Sequence, residues 1–227
     1  MIAANVEHIR GEIAASCARA GRSPQDVTLV AVSKTFGSNH IRQALGAGVI
    51  DFGENFVQEM TRKREEVGDD RIRWHFVGHL QTNKVRQITG WVHVIHSVDS
   101  MHLGREISKQ AGRIGRTIDV LVEVNTSGES TKYGVRPEEA PELIDQLTEL
   151  PSLNVRGLMT IGPFSENPED SRGAFRMLRD IRDRMEGRGV AVPDLSMGMT
   201  NDFAVAIEEG ATIVRIGTAI FGKRNKL

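Results

Sequence analysis

The sequence predicts an α/β chain folded as a (β/α)8 barrel with an extra helix before its first strand. Three observations predict it. Eight short apolar runs recur along the 227 residues. Amphipathic stretches alternate with them, and strand–helix–strand repetition demands crossovers and a mostly parallel sheet. No linker, low-complexity tract or composition shift divides the chain, so residues 1–227 read as one domain, slightly shorter than the ~250 residues typical of such barrels. A doubly wound open sheet is the alternative arrangement of the same elements.

In chain order, Val6, Ile9, Ile13 and Cys17 stand three and four apart, the spacing of one helical face. They predict a helix over 3–20 covering the bottom or side of the barrel. The first strand is expected over 28–33 and leads into Lys34. Ser38 is placed to cap the next helix, 40–47, and Gly48 to close it. Further strands are expected at 51–53, 75–78, 92–97, 119–125, 155–161, 194–198 and 213–217. The intervening helices are expected at 55–67, 83–89, 101–114, 137–150, 168–188 and 201–209. Pro137 and Pro168 suit first helical turns, where a missing backbone donor costs nothing. The polar, glycine-bearing piece 125–134 reads as a loop above the fifth strand.

Charge excludes some partners. Lys and Arg total 29 against 30 Asp and Glu, a formal net charge of -1, which gives no reason to expect nucleic acid or a membrane surface. Arg62-Lys63-Arg64 and Lys223-Arg224 are short basic groups and read as solvated surface. The single cysteine, Cys17, can form no internal disulfide, which favours a reducing compartment. No apolar run is long enough to span a bilayer, and no basic region followed by an apolar stretch opens the chain. A cytoplasmic protein is expected.

The chemistry concentrates at strand ends. Lys34 closes the run Val27 to Lys34, at the carboxyl end of a buried strand, where α/β folds place their reactive groups. Desolvation disfavours a charged amine, and a neutral amine condenses with an aldehyde, so a Schiff-base role is open to it beside that of a solvated strand-end lysine. Near the C-terminus, Ser196-Met197-Gly198-Met199-Thr200-Asn201-Asp202 and Val214-Arg215-Ile216-Gly217-Thr218 each follow a strand and lead into a helix. Either segment alone reads as an ordinary capped turn, but free backbone donors beside hydroxyls make an anion site, and the two together stand after strands seven and eight, where barrels place a phosphate. Arg215 lies inside an apolar strand whose alternation points it into the barrel, where a guanidinium needs a partner. A structural salt bridge and a bond to a ring nitrogen or anionic ligand are both open to it.

The segment His75 to Lys84 is denser in polar groups than a turn requires. Its two histidines have no third ligand at metal-like spacing, so no zinc site is expected. Glu54 and Asn55 end the second strand as a polar pair that could face the same cavity, and Glu54 reads equally as a first-turn acid.

Taken together, these residues resemble the pyridoxal-phosphate homeostasis protein family, from Val30 to Gly222. The matching segments are 31–35 (AVSKT), 52–55 (FGEN), 75–84 (HFVGHLQTNK), 156–159 (RGLM), 196–202 (SMGMTND) and 214–222 (VRIGTAIFG). The resemblance implies a barrel like the N-terminal domain of alanine racemase, with pyridoxal 5′-phosphate held as an internal aldimine on Lys34. It implies a phosphate lying against Ser196, Met199, Thr200, Gly217 and Thr218, a pyridine nitrogen meeting Arg215, and a ring pocket lined by Asn55, Val77 and Met159. Thr200 stands where serine is common in the family and keeps the hydroxyl. His79 is given no role.

The same resemblance frames the choice between carrier and enzyme. A racemase needs an acid/base group on each face of the cofactor, and in resembling racemases the second is a tyrosine from a β-rich domain supplied across a dimer. This sequence shows no such domain, so a monomer is expected. The expected function is to hold and deliver pyridoxal phosphate in vitamin B6 homeostasis, with apo-enzymes or small amines such as amino acids as recipients. The rival is an amino-acid racemase using Lys34 with Tyr133, His75 or water. A phosphorylated-sugar isomerase would need a strand-end carboxylate, for which only Glu123 and Glu54 offer themselves. Lys84, Lys132 and Lys223 are further amines that could take the cofactor transiently.

Overall fold

The computed structural model describes residues 1–129 and 131–223. Its eight strands are β1 (Thr28–Val32), β2 (Asp51–Glu54), β3 (Arg73–Phe76), β4 (Val94–Val98), β5 (Ile118–Glu123), β6 (Leu153–Met159), β7 (Asp194–Ser196) and β8 (Ile213–Ile216). Each pairs in parallel with the next, and β1 closes on β8 through Thr28↔Ile213 and Val30↔Arg215. The sheet is a closed barrel, and the open-sheet alternative is excluded. The helices are α1 (Ile2–Arg19), α2 (Ser38–Gly46), α3 (Val57–Val67), α4 (Val85–Ile88), α5 (Met101–Gly112), α6 (Ala140–Thr148), α7 (Arg172–Gly187), α8 (Phe203–Glu208) and α9 (Thr218–Phe221).

Alternation along the strands sorts side chains into two cores. Outward residues such as Phe52, Trp74, Ile95, Val120, Leu195 and Val214 form the large core between sheet and helices. Val30, Val94, Leu121, Met159 and Ile213 form the small apolar core inside the barrel. His75, His96, Ser196 and Arg215 share that interior and are buried with it. The N-terminal helix takes the side of the barrel. Its Val6, Ile9, Ile13 and Cys17 are buried as the spacing requires, and it packs on α2, α8 and α9.

Several local expectations are corrected. Ser38 does not cap α2: Gly37 is the N-cap, and the Ser38 hydroxyl donates to Glu66 Oε2 instead. Pro137 lies in a turn before α6, whose first-turn proline is Pro141. Pro168 opens a separate 3-10 turn, Pro168–Ser171, ahead of α7. Lys63 is fully buried, not solvated, whereas Arg62 is exposed. Lys223 is exposed, and Arg224 lies outside the described residues. No helix among the described residues is long and apolar enough to cross a membrane.

Candidate functional site

Lys34 stands two residues beyond the end of β1, in a turn of unusual geometry. Thr35 next to it has φ 71°, the left-handed region that a β-branched residue adopts only under strain of order 1–3 kcal/mol. A buried ion cluster holds that turn. Lys63 Nζ donates to Ser33 O (2.6 Å) and to Glu54 Oε1 (2.6 Å), and lies 2.8 Å from Glu59 Oε1. Ser33 Oγ donates to Glu54 Oε1 (2.5 Å), and the Thr35 N–H donates to Glu59 Oε1 (2.7 Å). The residues on either side of Lys34 are thus tied to β2 and α3. Burial raises Glu54 above the usual carboxylate range, against the opposing charge and hydrogen bond of Lys63.

Lys34 lines a cavity of about 440 Å³ at the carboxyl ends of the strands, with Asn55, Val77, Met199, Thr200, Arg215, Gly217 and Thr218. Val32, Lys132, Phe164 and Asp202 complete much of the wall. Eight of the ten residues named from the sequence therefore meet in one place. The other two do not line it. Ser196 is fully buried inside the barrel, with its hydroxyl on His96 and Arg215. Met159 lies in the apolar barrel core.

The wall at the ends of β7 and β8 is built by a tight turn. Gly198 has φ 90°, and a Cβ there would meet Ala206 Cβ at 2.5 Å and Phe203 Cα at 2.9 Å, so only glycine fits. Asp202 ties the turn down by accepting from Met199 N–H (2.7 Å) and Ser171 Oγ (2.9 Å). Across the cavity wall Thr218 Oγ1 donates to Thr200 Oγ1 (3.2 Å). α8 and α9 have six and four residues. Hydroxyls and Lys34 and Arg215 charges, more than helix dipoles, make this wall suit an anion.

Arg215 NH1 donates to Ser196 Oγ (2.6 Å) and NH2 to Thr160 O (2.8 Å). Burial pushes its pKa down to about 10, opposed by Glu123 and Asp202, which leaves the guanidinium charged at neutral pH. Beside the cavity Glu123 is pushed up to about 7, by burial first and then by Asp99, with Arg215 opposing. Lys132 Nζ donates to Gly162 O (2.8 Å) and pairs with Glu129 (2.6 Å). Tyr133 is exposed and stacks on His79, ring centroids 4.0 Å apart and 13° from parallel.

Two functional features escaped the sequence reading. Lys63 was masked by the exposed arginines on either side, although it falls three and six residues after the buried Met60 and Val57. His96 gave no signal at all, since a lone histidine in an apolar run carries no partner in its spacing. Among the described residues no group of three His, Cys, Asp or Glu is arranged to hold a metal.

The family model for the alanine racemase N-terminal domain matches residues 5–225. The chain is 51% identical over 210 residues to the pyridoxal phosphate homeostasis protein of Aquifex aeolicus, covering 92% of each. It is 38% identical to that of Escherichia coli K12, covering 99% of this chain and 97% of the relative. Among solved structures, PipY of Synechococcus elongatus PCC7942 with PLP bound superposes with a TM-score of 0.86 at 32% identity, covering 98% and 100% of the two chains. An alanine racemase of Clostridium difficile shares the fold at 16% identity and TM-score 0.76, with this chain spanning 57% of it. By these matches and by its barrel, the chain belongs to the pyridoxal phosphate homeostasis protein family.

Proposed function

We propose that this chain binds pyridoxal 5′-phosphate through Lys34 and serves as its holder and donor inside the cell, with no catalytic turnover of its own. The observation that carries this reading is the convergence of the Lys34 amine, one buried guanidinium and two facing hydroxyls on a single cavity of about 440 Å³. That volume lies in the range of small-molecule sites. Asn55 lines the same cavity, and its Oδ1 is buried without a hydrogen-bond partner among the described residues. A planar ligand with an anionic end would match this lining and the wall of hydroxyls together.

In this reading Thr200, Thr218 and Gly217, with Met199, receive the phosphate, while Asn55 and Val77 flank the ring. Ser196 supports Arg215 instead of touching phosphate, and Met159 packs beneath the pocket. Bound there, the cofactor would supply an aldehyde for reversible condensation with amines. Lys34 provides the amine, and the Lys63 cluster keeps it at the cavity. Arg215 can only donate hydrogen bonds, so it favours an unprotonated ring nitrogen and weakens the ring as an electron sink. Such a site retains the cofactor without promoting carbanion chemistry. Residues 1–227 would act as one binding domain, and an apo-enzyme or a small amine such as an amino acid would take the cofactor up.

The racemase reading finds less support. His75 is buried and bonded to Asp51 and His96, and Tyr133 is stacked on His79 outside the Lys34 cavity. The isomerase reading fares likewise, since Glu54 is spent on Lys63 and Ser33 and Glu123 does not line the Lys34 cavity.

The test is the visible absorbance of protein incubated with pyridoxal phosphate, before and after borohydride, in wild type and Lys34→Ala. A band fixed by borohydride in wild type and missing from the variant is expected, together with no racemisation of added L-amino acids. Absence of the band in wild type would overturn the binding reading. Racemisation that is lost in Lys34→Ala would overturn the non-catalytic one.

A further inference from the structure

Behind Arg215 a row of buried hydrogen bonds runs through the barrel interior to its opposite end. Arg215 NH1 meets Ser196 Oγ at 2.6 Å, and Ser196 Oγ meets His96 Nδ1 at 2.9 Å. His96 Nε2 meets His75 Nδ1 at 2.9 Å, and His75 Nε2 meets Asp51 Oδ1 at 2.9 Å. Asp51 Oδ2 takes Arg73 NH2 at 2.5 Å at the lower rim. From Arg215 to Asp51, β8, β7, β4, β3 and β2 each contribute one buried member, and the exposed Arg73 of β3 closes the row at the rim.

The direction of every bond follows from chemistry. Burial pushes the Asp51 carboxyl up, but the hydrogen bonds of His75 and Arg73 and the charge of Arg73 outweigh it and hold it below its usual range. A carboxylate only accepts, so His75 Nε2 carries a proton. At the other end an arginine only donates, so Ser196 Oγ accepts from it and has its own hydrogen to give to His96 Nδ1. Burial above all, with the Arg215 charge beside it, holds His96 well below the ordinary histidine range, leaving it one ring proton. That proton must sit on Nε2, facing His75 Nδ1. Placing it on Nδ1 would make both neighbours donors to Ser196 Oγ, whose two lone pairs could take them, but would leave the hydroxyl hydrogen without an acceptor in the row. Arg73, His93, Glu123 and Asp202 are the other charged or titratable groups facing it.

We infer that Ser196, His96 and His75 are positioning residues for Arg215, forming a one-way row of donors, Arg215 to Ser196 to His96 to His75 to Asp51, that holds the guanidinium rigid at the cavity wall. Thr160 O fixes the second arm, and its own side chain is tied to Val124 O (2.7 Å) and Thr126. The row exists without any ligand. Only its use, to present a fixed donor to a ring nitrogen, rests on the proposed function.

Nitrogen NMR of the full chain tests it directly. His75 and His96, assigned through single substitutions among the seven histidines, should both be neutral Nε2–H tautomers near pH 7. The Arg215 guanidinium protons should be resolved and slow to exchange in wild type, collapse in Ser196→Ala, and persist in Ser196→Thr, which keeps the hydroxyl. With pyridoxal phosphate, Ser196→Ala should bind roughly tenfold more weakly, the usual loss for a hydrogen bond to a charged group. A His96 Nδ1–H tautomer, an imidazolium at either position, or unchanged Arg215 exchange in Ser196→Ala would overturn the inference. If wild type shows the predicted tautomers and slow exchange yet leaves Lys34 unlabelled by cofactor and borohydride, the functional reading falls and the row stands.

Discussion

At Glu123 burial prevails over charge. The carboxyl ends β5 under the cavity mouth, and its pKa stands at about 7 against an ordinary value near 4.5. The folded state therefore binds this proton more tightly than the unfolded chain does. Its contribution is most favourable below about pH 4.5 and is lost as pH rises to about 7, by up to about 3 kcal/mol. Glu123→Gln should be more stable than wild type at pH 8 and should flatten this part of the stability–pH curve, read by denaturant titration at several pH values. Equal stabilities at pH 8 would mean that Glu123 is ionised at little cost. Lys34 and Arg215 were legible in the sequence because each is a charge breaking an apolar run at a strand position with a defined direction. Ser196 was legible as a strand-end hydroxyl, but strand register turns it inward to Arg215. Its second partner, His96, is a hundred residues away in sequence.

Among elements, the joint between β1, β2 and α3 controls the placement of Lys34. Lys63 there is a fully buried cation between two carboxylates, and removing one member of such a group leaves uncompensated charge. Lys63→Met should cost about 3–5 kcal/mol in equilibrium unfolding, and Lys63→Met with Glu54→Gln should recover part of it. A loss under about 1 kcal/mol would show that the cluster is dispensable. Strand pairing offers a second test. A Cβ on Gly157 of β6 would lie 1.9 Å from Asp194 O of β7, beside an irregularity in the β5–β6 ladder. Gly157→Ala should destabilise by about 2 kcal/mol or more, measured the same way. The elements themselves were legible because a period of two alternates cleanly with longer amphipathic stretches. Their ends were less so. Ser38 spends its hydroxyl on Glu66, and the stretches after Asn167 and before Val85 begin as 3-10 turns that periodicity does not separate from helix.

For the whole molecule, closure creates the site. Lys34 follows the first strand and Arg215 lies in the last, and they line one cavity because β1 pairs with β8. Alternating strands and helices suggested the barrel, yet only the ladder Thr28↔Ile213 distinguishes it from an open sheet of the same elements. Two lysines, Lys34 and Lys132, line that cavity, and the account assigns the cofactor to the first. Borohydride reduction of the protein loaded with pyridoxal phosphate, followed by peptide mass mapping, decides between them. The account predicts one pyridoxyl group, on the peptide bearing Lys34, in wild type and in Lys132→Ala alike. Labelling confined to Lys132, or none on either lysine, would contradict it.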